Sequence, residues 1–245
     1  MVLNKHKRRF RMNKLAISLL LLIGIATVWF YQEMQRTNNH PVVIAFGDSL
    51  TEGFGDIHGE GYIDGLEKEL NSQEGHQPYR IWNYGIVGQE SSGVLKQLND
   101  TRIVSKLGEA EHFIVFIGTN DLLHNNGGDF APLNEKKIKE GKDQYVENLK
   151  KILSILQNEN IQAKIAVLGL YNPYPDDKEI EKEIDKWNHT TQQLIKNNER
   201  ITYVPTNDLF KNKYKSKYFS DSLHLNEKGY KIISRRIMER YDFGV

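Results

Sequence analysis

The sequence predicts an α/β fold: a parallel sheet of five strands with helices on both faces, preceded by one N-terminal apolar helix. Three observations predict it. Five short apolar runs recur between residues 42 and 204. Stretches of helical period separate them. A run of 17 uncharged residues, 15–31, follows a basic cluster.

The five runs are 42–46, 80–84, 113–117, 163–168 and 201–204. They are rich in β-branched and aromatic residues and are nearly continuous in apolar character, as strands covered on both faces are. Helical patterns fall at about 62–71, 94–107, 135–158 and 178–197. Within 145–156, apolar residues stand at 145, 146, 149, 152, 153 and 156, which is one face of a helix. A last helix is expected over 227–240. Asn226 is its N-cap, and Ile232, Ile233, Ile237 and Tyr241 are its inner stripe. Strand–helix alternation of this kind builds a parallel sheet. Function in such sheets gathers at the carboxyl ends of the strands, so motifs that carry chemistry are expected just after the runs.

The N-terminal segment reads as a signal-anchor. Lys5, Lys7, Arg8, Arg9, Arg11 and Lys14 precede the run 15–31. As a helix that run spans roughly 25 Å, the short end of what crosses a bilayer. Basic residues on its N-terminal side place that end in the cytoplasm, and Trp29 and Tyr31 suit the outer interface. The expected organisation is a basic cytoplasmic N-terminus (1–14), a transmembrane span (15–31), a linker (32–41) and an extracytoplasmic domain (42–245). Two other readings stay open. One is a cleaved signal, for which Gly24-Ile25-Ala26 is a poor cutting site; it would leave a secreted domain. The other is a buried core helix, disfavoured because the run is apolar on every face.

Composition narrows the function. Of 33 Lys/Arg and 32 Asp/Glu, seven and one fall in residues 1–39, so residues 40–245 hold 26 basic and 31 acidic side chains, a formal charge of −5. A mildly acidic domain argues against a nucleic-acid partner. There is no cysteine, which excludes disulfides, thiol nucleophiles and cysteine-ligated zinc. No repeat of solenoid or propeller period is present.

Three of the anticipated strands are followed by polar, glycine-bearing segments. Gly47-Asp48-Ser49-Leu50-Thr51 follows the first. Asn83-Tyr84-Gly85-Ile86-Val87-Gly88-Gln89-Glu90-Ser91 closes and follows the second. Gly118-Thr119-Asn120-Asp121 follows the third. A fourth segment, Asp221-Ser222-Leu223-His224-Leu225-Asn226, precedes the last helix. Ester hydrolysis needs a hydroxyl nucleophile, a base beside it, a group that orients the base, and donors for the oxyanion. A serine at a strand end supplies the first, and a histidine with an acid three residues earlier supplies the next two. A glycine lets backbone approach the substrate closely, and an asparagine amide supplies a strong neutral donor. Each segment taken alone has a plainer reading as a turn or a helix cap; all four in order, at strand ends, do not.

These four segments resemble the four blocks of the GDSL, or SGNH, hydrolase family. The resemblance covers residues 40–245 and points to the bacterial, membrane-anchored lipase/acylhydrolase-like branch. It implies a three-layer α/β/α sandwich of flavodoxin-like type with a five-stranded parallel sheet. It also implies Ser49 as nucleophile, His224 as base and Asp221 as its orienting acid. The oxyanion hole would be formed by Ser49, Gly88 and Asn120. The family's chemistry implies no cofactor and no metal. Ser222 stands where the family commonly has glycine. Thr51 stands where the Gly-x-Ser-x-Gly elbow of larger hydrolases has its second glycine.

The expected function is thus a serine hydrolase of small-molecule or lipid esters. Alternatives left open are an O-acetyl esterase or acyltransferase acting on a cell-envelope glycan, and a non-catalytic surface binding protein. Three other features have weaker claims. Asp56, His58 and Glu60 alternate like metal ligands but also suit a polar loop. His124 could border the cleft or stand in solvent. Tyr171-Asn172-Pro173-Tyr174-Pro175 could shape a substrate pocket or simply turn the chain.

Overall fold

The structure, a computed structural model, describes residues 23–27, 40–75, 77–128, 131–174 and 176–244. The chain divides into two units, Met1–His40 and Pro41–Val245. In the first, residues 23–27 are helical. The basic stretch, the remainder of the anticipated 15–31 span and the linker up to residue 39 lie outside the described residues. Among the described residues no helix is long and apolar enough to cross a membrane.

The second unit carries a five-stranded parallel sheet: β1 (Val42–Gly47), β2 (Arg80–Gly85), β3 (Ala110–Phe116), β4 (Lys164–Leu168) and β5 (Ile201–Val204), in spatial order β2-β1-β3-β4-β5. The helices are α1 (Ser49–Glu52), α2 (Gly61–Asn71), α3 (Ser91–Gln97), α4 (Thr101–Leu107), α5 (Thr119–Asn126), α6 (Glu135–Glu159), α7 (Lys178–Ile195), α8 (Lys215–Tyr218) and α9 (Glu227–Arg240). Strand residues alternate between two cores. Ile44, Phe46, Phe113, Val115, Ile165 and Val167 pack with residues of α3 to α7. Val43, Ala45, Ile114, Phe116, Ala166 and Leu168 pack with residues of α1, α2 and α9. The three-layer α/β/α sandwich is therefore present.

The two-sided burial expected of every strand holds for β1, whose six residues are all buried, but not for β2, none of whose six residues is fully buried. The cause is position: β2 is an edge. The expected single helix over 94–107 is two helices, α3 and α4. The Asp100 carboxylate accepts the Arg102 N–H at 2.9 Å and so starts a second helix at Thr101. Helix α9 has the expected bounds, and Asn226 caps it by accepting from the N–H groups of Lys228 (3.0 Å) and Gly229 (3.1 Å).

The chain moves from β1 outward to β2, then back across β1 to β3. Strand order therefore reverses at β1. Loops leaving β1 and β3 diverge there and open a crevice at the carboxyl ends of the strands. Register sharpens this. Gly47, the last residue of β1, pairs with Gly85 on one side and Phe116 on the other. The three segments that follow these strands thus leave the sheet at one level.

Candidate active site

Ser49 begins α1 one residue after Asp48 caps it; the Asp48 carboxylate accepts the Leu50 N–H at 2.9 Å. As the first residue of a helix, Ser49 has an N–H with no partner inside that helix. Two glycines let α1 sit this low on the sheet. A Cβ on Gly85 would lie 2.3 Å from the Glu52 nitrogen, and one on Gly47 would lie 2.7 Å from Thr51 Cβ. Asn83 of β2 ties the helix down, its amide donating to the Thr51 carbonyl at 2.7 Å.

His224 reaches Ser49 from the far end of the domain. Its Nε2 lies 3.0 Å from Ser49 Oγ, and its Nδ1 lies 2.7 Å from Asp221 Oδ2. The other Asp221 oxygen, Oδ1, accepts the N–H groups of Leu223 (2.8 Å) and His224 (2.6 Å). Partial burial works to raise the Asp221 carboxyl, but these hydrogen bonds outweigh it and hold the group below its ordinary carboxylate range. The loop is braced from β4 and α1. The Tyr171 hydroxyl donates to the Leu223 carbonyl at 2.9 Å, and the Phe54 ring meets the His224 imidazole edge-on with centroids 4.6 Å apart.

The other two expected donors are coupled to each other. The Asn120 amide donates to the Gln89 carbonyl at 2.9 Å, which commits one of its two protons and leaves the second. Gly88, the residue before Gln89, sits at φ +74° with open space where a side chain would be. Its glycine is thus explained by the backbone conformation and not by crowding. One residue beyond Asn120, the Asp121 carboxylate holds the start of α3, accepting from the Ser91 hydroxyl and from the Ser91 N–H at 2.9 Å. Gln89 closes the frame, its side-chain amide donating to the Gly47 carbonyl at 2.9 Å. Sequence reasoning missed Asn83, Gln89, Ser91 and Asp121 as bracing groups. Each lies inside or beside one of the blocks, but nothing local marks which backbone carbonyl or amide it will meet.

Of the features with weaker claims, Asp56 spends both carboxylate oxygens on its own loop, accepting from the N–H groups of His58 (2.9 Å) and Gly61 (3.2 Å). His124 Nδ1 lies 2.9 Å from Glu90 Oε1, just before α3. Tyr171 is buried and supports the His224 loop.

Asp48 stands out electrostatically. It is fully buried, and burial, together with the Asp121 charge and against the Leu50 N–H bond, pushes its carboxyl from the ordinary 3.8 up to about 7. A carboxyl raised in the folded state binds more protons folded than unfolded. It therefore withdraws stability as pH climbs from about 4 to 7. Asparagine at this position keeps an acceptor for Leu50 and cannot ionise. The expected result is that Asp48→Asn gains stability over the parent progressively across that window. The gain should reach about 4 kcal/mol by pH 7 and then level off, taking 1.36 kcal/mol per pH unit. Urea unfolding at pH 4, 5.5, 7 and 8 measures it; parallel curves for the two proteins would show that Asp48 carries no such cost.

A hydroxyl, an imidazole and a carboxylate hydrogen-bonded in series, beside N–H donors at the ends of a parallel sheet, can perform nucleophilic acyl chemistry. The sequence relationships agree. A profile of the GDSL-like lipase/acylhydrolase family matches residues 45–232, and the chain belongs to that family of ester hydrolases. It is 30% identical over 210 residues to the uncharacterized protein YpmR of Bacillus subtilis, covering 83% of this chain and 82% of that protein. It is 25% identical over 198 residues to the spore germination lipase LipC of Bacillus licheniformis, covering 79% of this chain and 92% of the lipase. The lipase Lip_vut3 from a goat rumen metagenome shares the fold, with a TM-score of 0.72 at 22% identity over 81% of this chain and 96% of the other.

Proposed function

We propose that the protein hydrolyses carboxylic esters through an acyl-enzyme on Ser49, with His224 as general base and then general acid. The single observation that carries this is the series Ser49 Oγ, His224 Nε2, His224 Nδ1, Asp221 Oδ2, joined by contacts of 3.0 and 2.7 Å. His224 takes the Ser49 proton as Oγ attacks the ester carbonyl. It returns that proton to the departing alcohol oxygen. A water molecule, deprotonated by the same imidazole, then releases the acid. Asp221 fixes the tautomer with the proton on Nδ1 and stabilises the imidazolium. The Ser49 N–H, the Gly88 N–H and the second amide proton of Asn120 serve the oxyanion.

The test is direct. The full chain should hydrolyse a short p-nitrophenyl ester and take up one fluorophosphonate per molecule, with the adduct mapped to Ser49. A folded protein that neither turns over the ester nor reacts with the probe would sink the reading in favour of a binding protein. The uncharged run at 15–31 and its basic flank support a location at the outer face of the cell membrane. Recovery of the full chain in a salt-washed membrane fraction, and of a chain lacking residues 1–39 in the soluble one, would bear that out; the reverse would refute it.

A further inference from the structure

Among the described residues of 41–244, six large apolar side chains stand exposed, and four of them lie in the two loops flanking Ser49. Phe54 (46% exposed) and Ile57 (90%) follow α1, while Ile86 (48%) and Val87 (52%) follow β2. The other two are Ile161, just before β4 at the opposite end of the sheet, and Tyr214, just before α8. One exposed apolar side chain carries no message, since over half of a folded surface is apolar. Four in the two loops that adjoin one reaction centre are a concentration of apolar surface, and such concentrations mark binding sites.

The patch is held to the centre by backbone. The Phe54 N–H donates to the Ser49 carbonyl at 2.9 Å, and the Phe54 carbonyl accepts the Tyr230 hydroxyl at 2.5 Å. The Ile86 N–H donates to the Gly47 carbonyl at 3.2 Å. Val87 immediately precedes Gly88. These side chains are therefore presented by anchored turns.

We infer that Ile86 and Val87 form the subsite for the acyl chain, and that the acid released is a fatty acid of several carbons and not acetate. The inference rests on the Ser49 reading above. In the tetrahedral intermediate the former carbonyl carbon bears Ser49 Oγ, the oxyanion, the leaving oxygen and the first carbon of the acid. The leaving oxygen must face His224 Nε2 to receive its proton. Phe54, against the imidazole, therefore borders the leaving group. The acid's carbon chain departs along another direction, and the loop that leaves β2 beside the end of β1 carries the exposed Ile86 and Val87. An acetyl group would be too short to cover these side chains. A longer chain would cover them and remove its own methylenes from water, a gain of up to roughly fourfold per fully buried methylene.

The experiment compares kcat/KM of the full chain on p-nitrophenyl acetate, butyrate and octanoate, a series with one leaving group throughout. The octanoate-to-acetate ratio should exceed about tenfold, since the chain is only partly covered by two rim residues. The double variant Ile86→Ser/Val87→Ser should lower that ratio about tenfold. Because the readout is a ratio, a general loss of active enzyme does not mimic the effect. Probe labelling at Ser49 combined with a preference for acetate, or a ratio the double variant leaves intact, would overturn the subsite while sparing the nucleophile. A variant that keeps the ratio but loses binding to phosphatidylcholine vesicles would assign the patch to a lipid surface and likewise overturn it. No turnover of any ester together with no labelling would overturn the Ser49 reading, and this inference with it.

Discussion

Ser49→Ala should lower kcat on a short p-nitrophenyl ester by about 10⁴-fold or more and abolish labelling by a fluorophosphonate. The size follows from what the hydroxyl does. It forms the covalent bond, so without it only positioning and the oxyanion donors remain to a water molecule. Ser49 is buried, and the bond its Oγ makes to His224 joins two groups that act as a unit. Removing either should therefore cost about as much as removing both, and a Ser49→Ala/His224→Ala double variant should be scarcely slower than the single ones. The fold should be almost untouched, because alanine leaves the Asp48 cap and the Phe54 N–H bond to the Ser49 carbonyl in place. Steady-state kinetics with a thermal midpoint on the same preparation separates the two effects. Labelling that survives in Ser49→Ala would move the nucleophile elsewhere.

The second large effect is expected at Asp221. Asparagine keeps the shape and one acceptor oxygen, which can still take the N–H groups of Leu223 and His224. Its NH₂ then faces His224 Nδ1. The imidazole can satisfy that donor only by offering a lone pair, which moves its own proton to Nε2, facing Ser49. A protonated Nε2 cannot accept the serine proton, and kcat should fall by about 10⁴-fold. Folding should change little, since the Asp221 side chain is 44% exposed. Asp221→Ala, by contrast, also removes the acceptor of both backbone N–H groups and should loosen the loop as well as stop the chemistry. A loss below tenfold in Asp221→Asn would show that His224 is oriented by something other than this carboxylate.

Most of the sheet was readable before any coordinates, because a buried strand announces itself through continuous apolar residues. The run 201–204 has the bounds of β5, and 42–46 and 80–84 each stop one residue short of a terminal glycine. What composition cannot report is which strand is an edge. β2 reads much like its neighbours, yet none of its six residues is fully buried, since only pairing order decides that. The break between α3 and α4 was hidden for a related reason. Asp100 looks like an ordinary polar position in an amphipathic pattern until its carboxylate turns to cap Arg102. Helix α5 was hidden because Gly118-Thr119-Asn120-Asp121 has the composition of a turn. At the site, Ser49, Asp221 and His224 were marked by a serine at a strand end and an Asp-x-x-His pair, while Gly88 and Asn120 were expected through the resemblance to the family's blocks. The supports were not. The Gln89 bond to Gly47 and the Asp121 bonds to Ser91 link segments whose separation in sequence has no bearing on their contact.

Ser49 and His224 are 175 residues apart, and the contact between them needs both ends of the domain. Ser49 depends on β1, the first strand, and on the glycines that seat α1. His224 stands just before α9, whose Tyr230 hydroxyl reaches back to the Phe54 carbonyl. A nascent chain therefore holds a reactive hydroxyl from its earliest segment without the means to use it. On the Ser49 and His224 reading proposed above, esterase competence waits for the last elements of the fold. It works as a seal of completion: a chain cut short before residue 224 carries the residues of all five strands but lacks His224, and on that reading it should be silent toward esters.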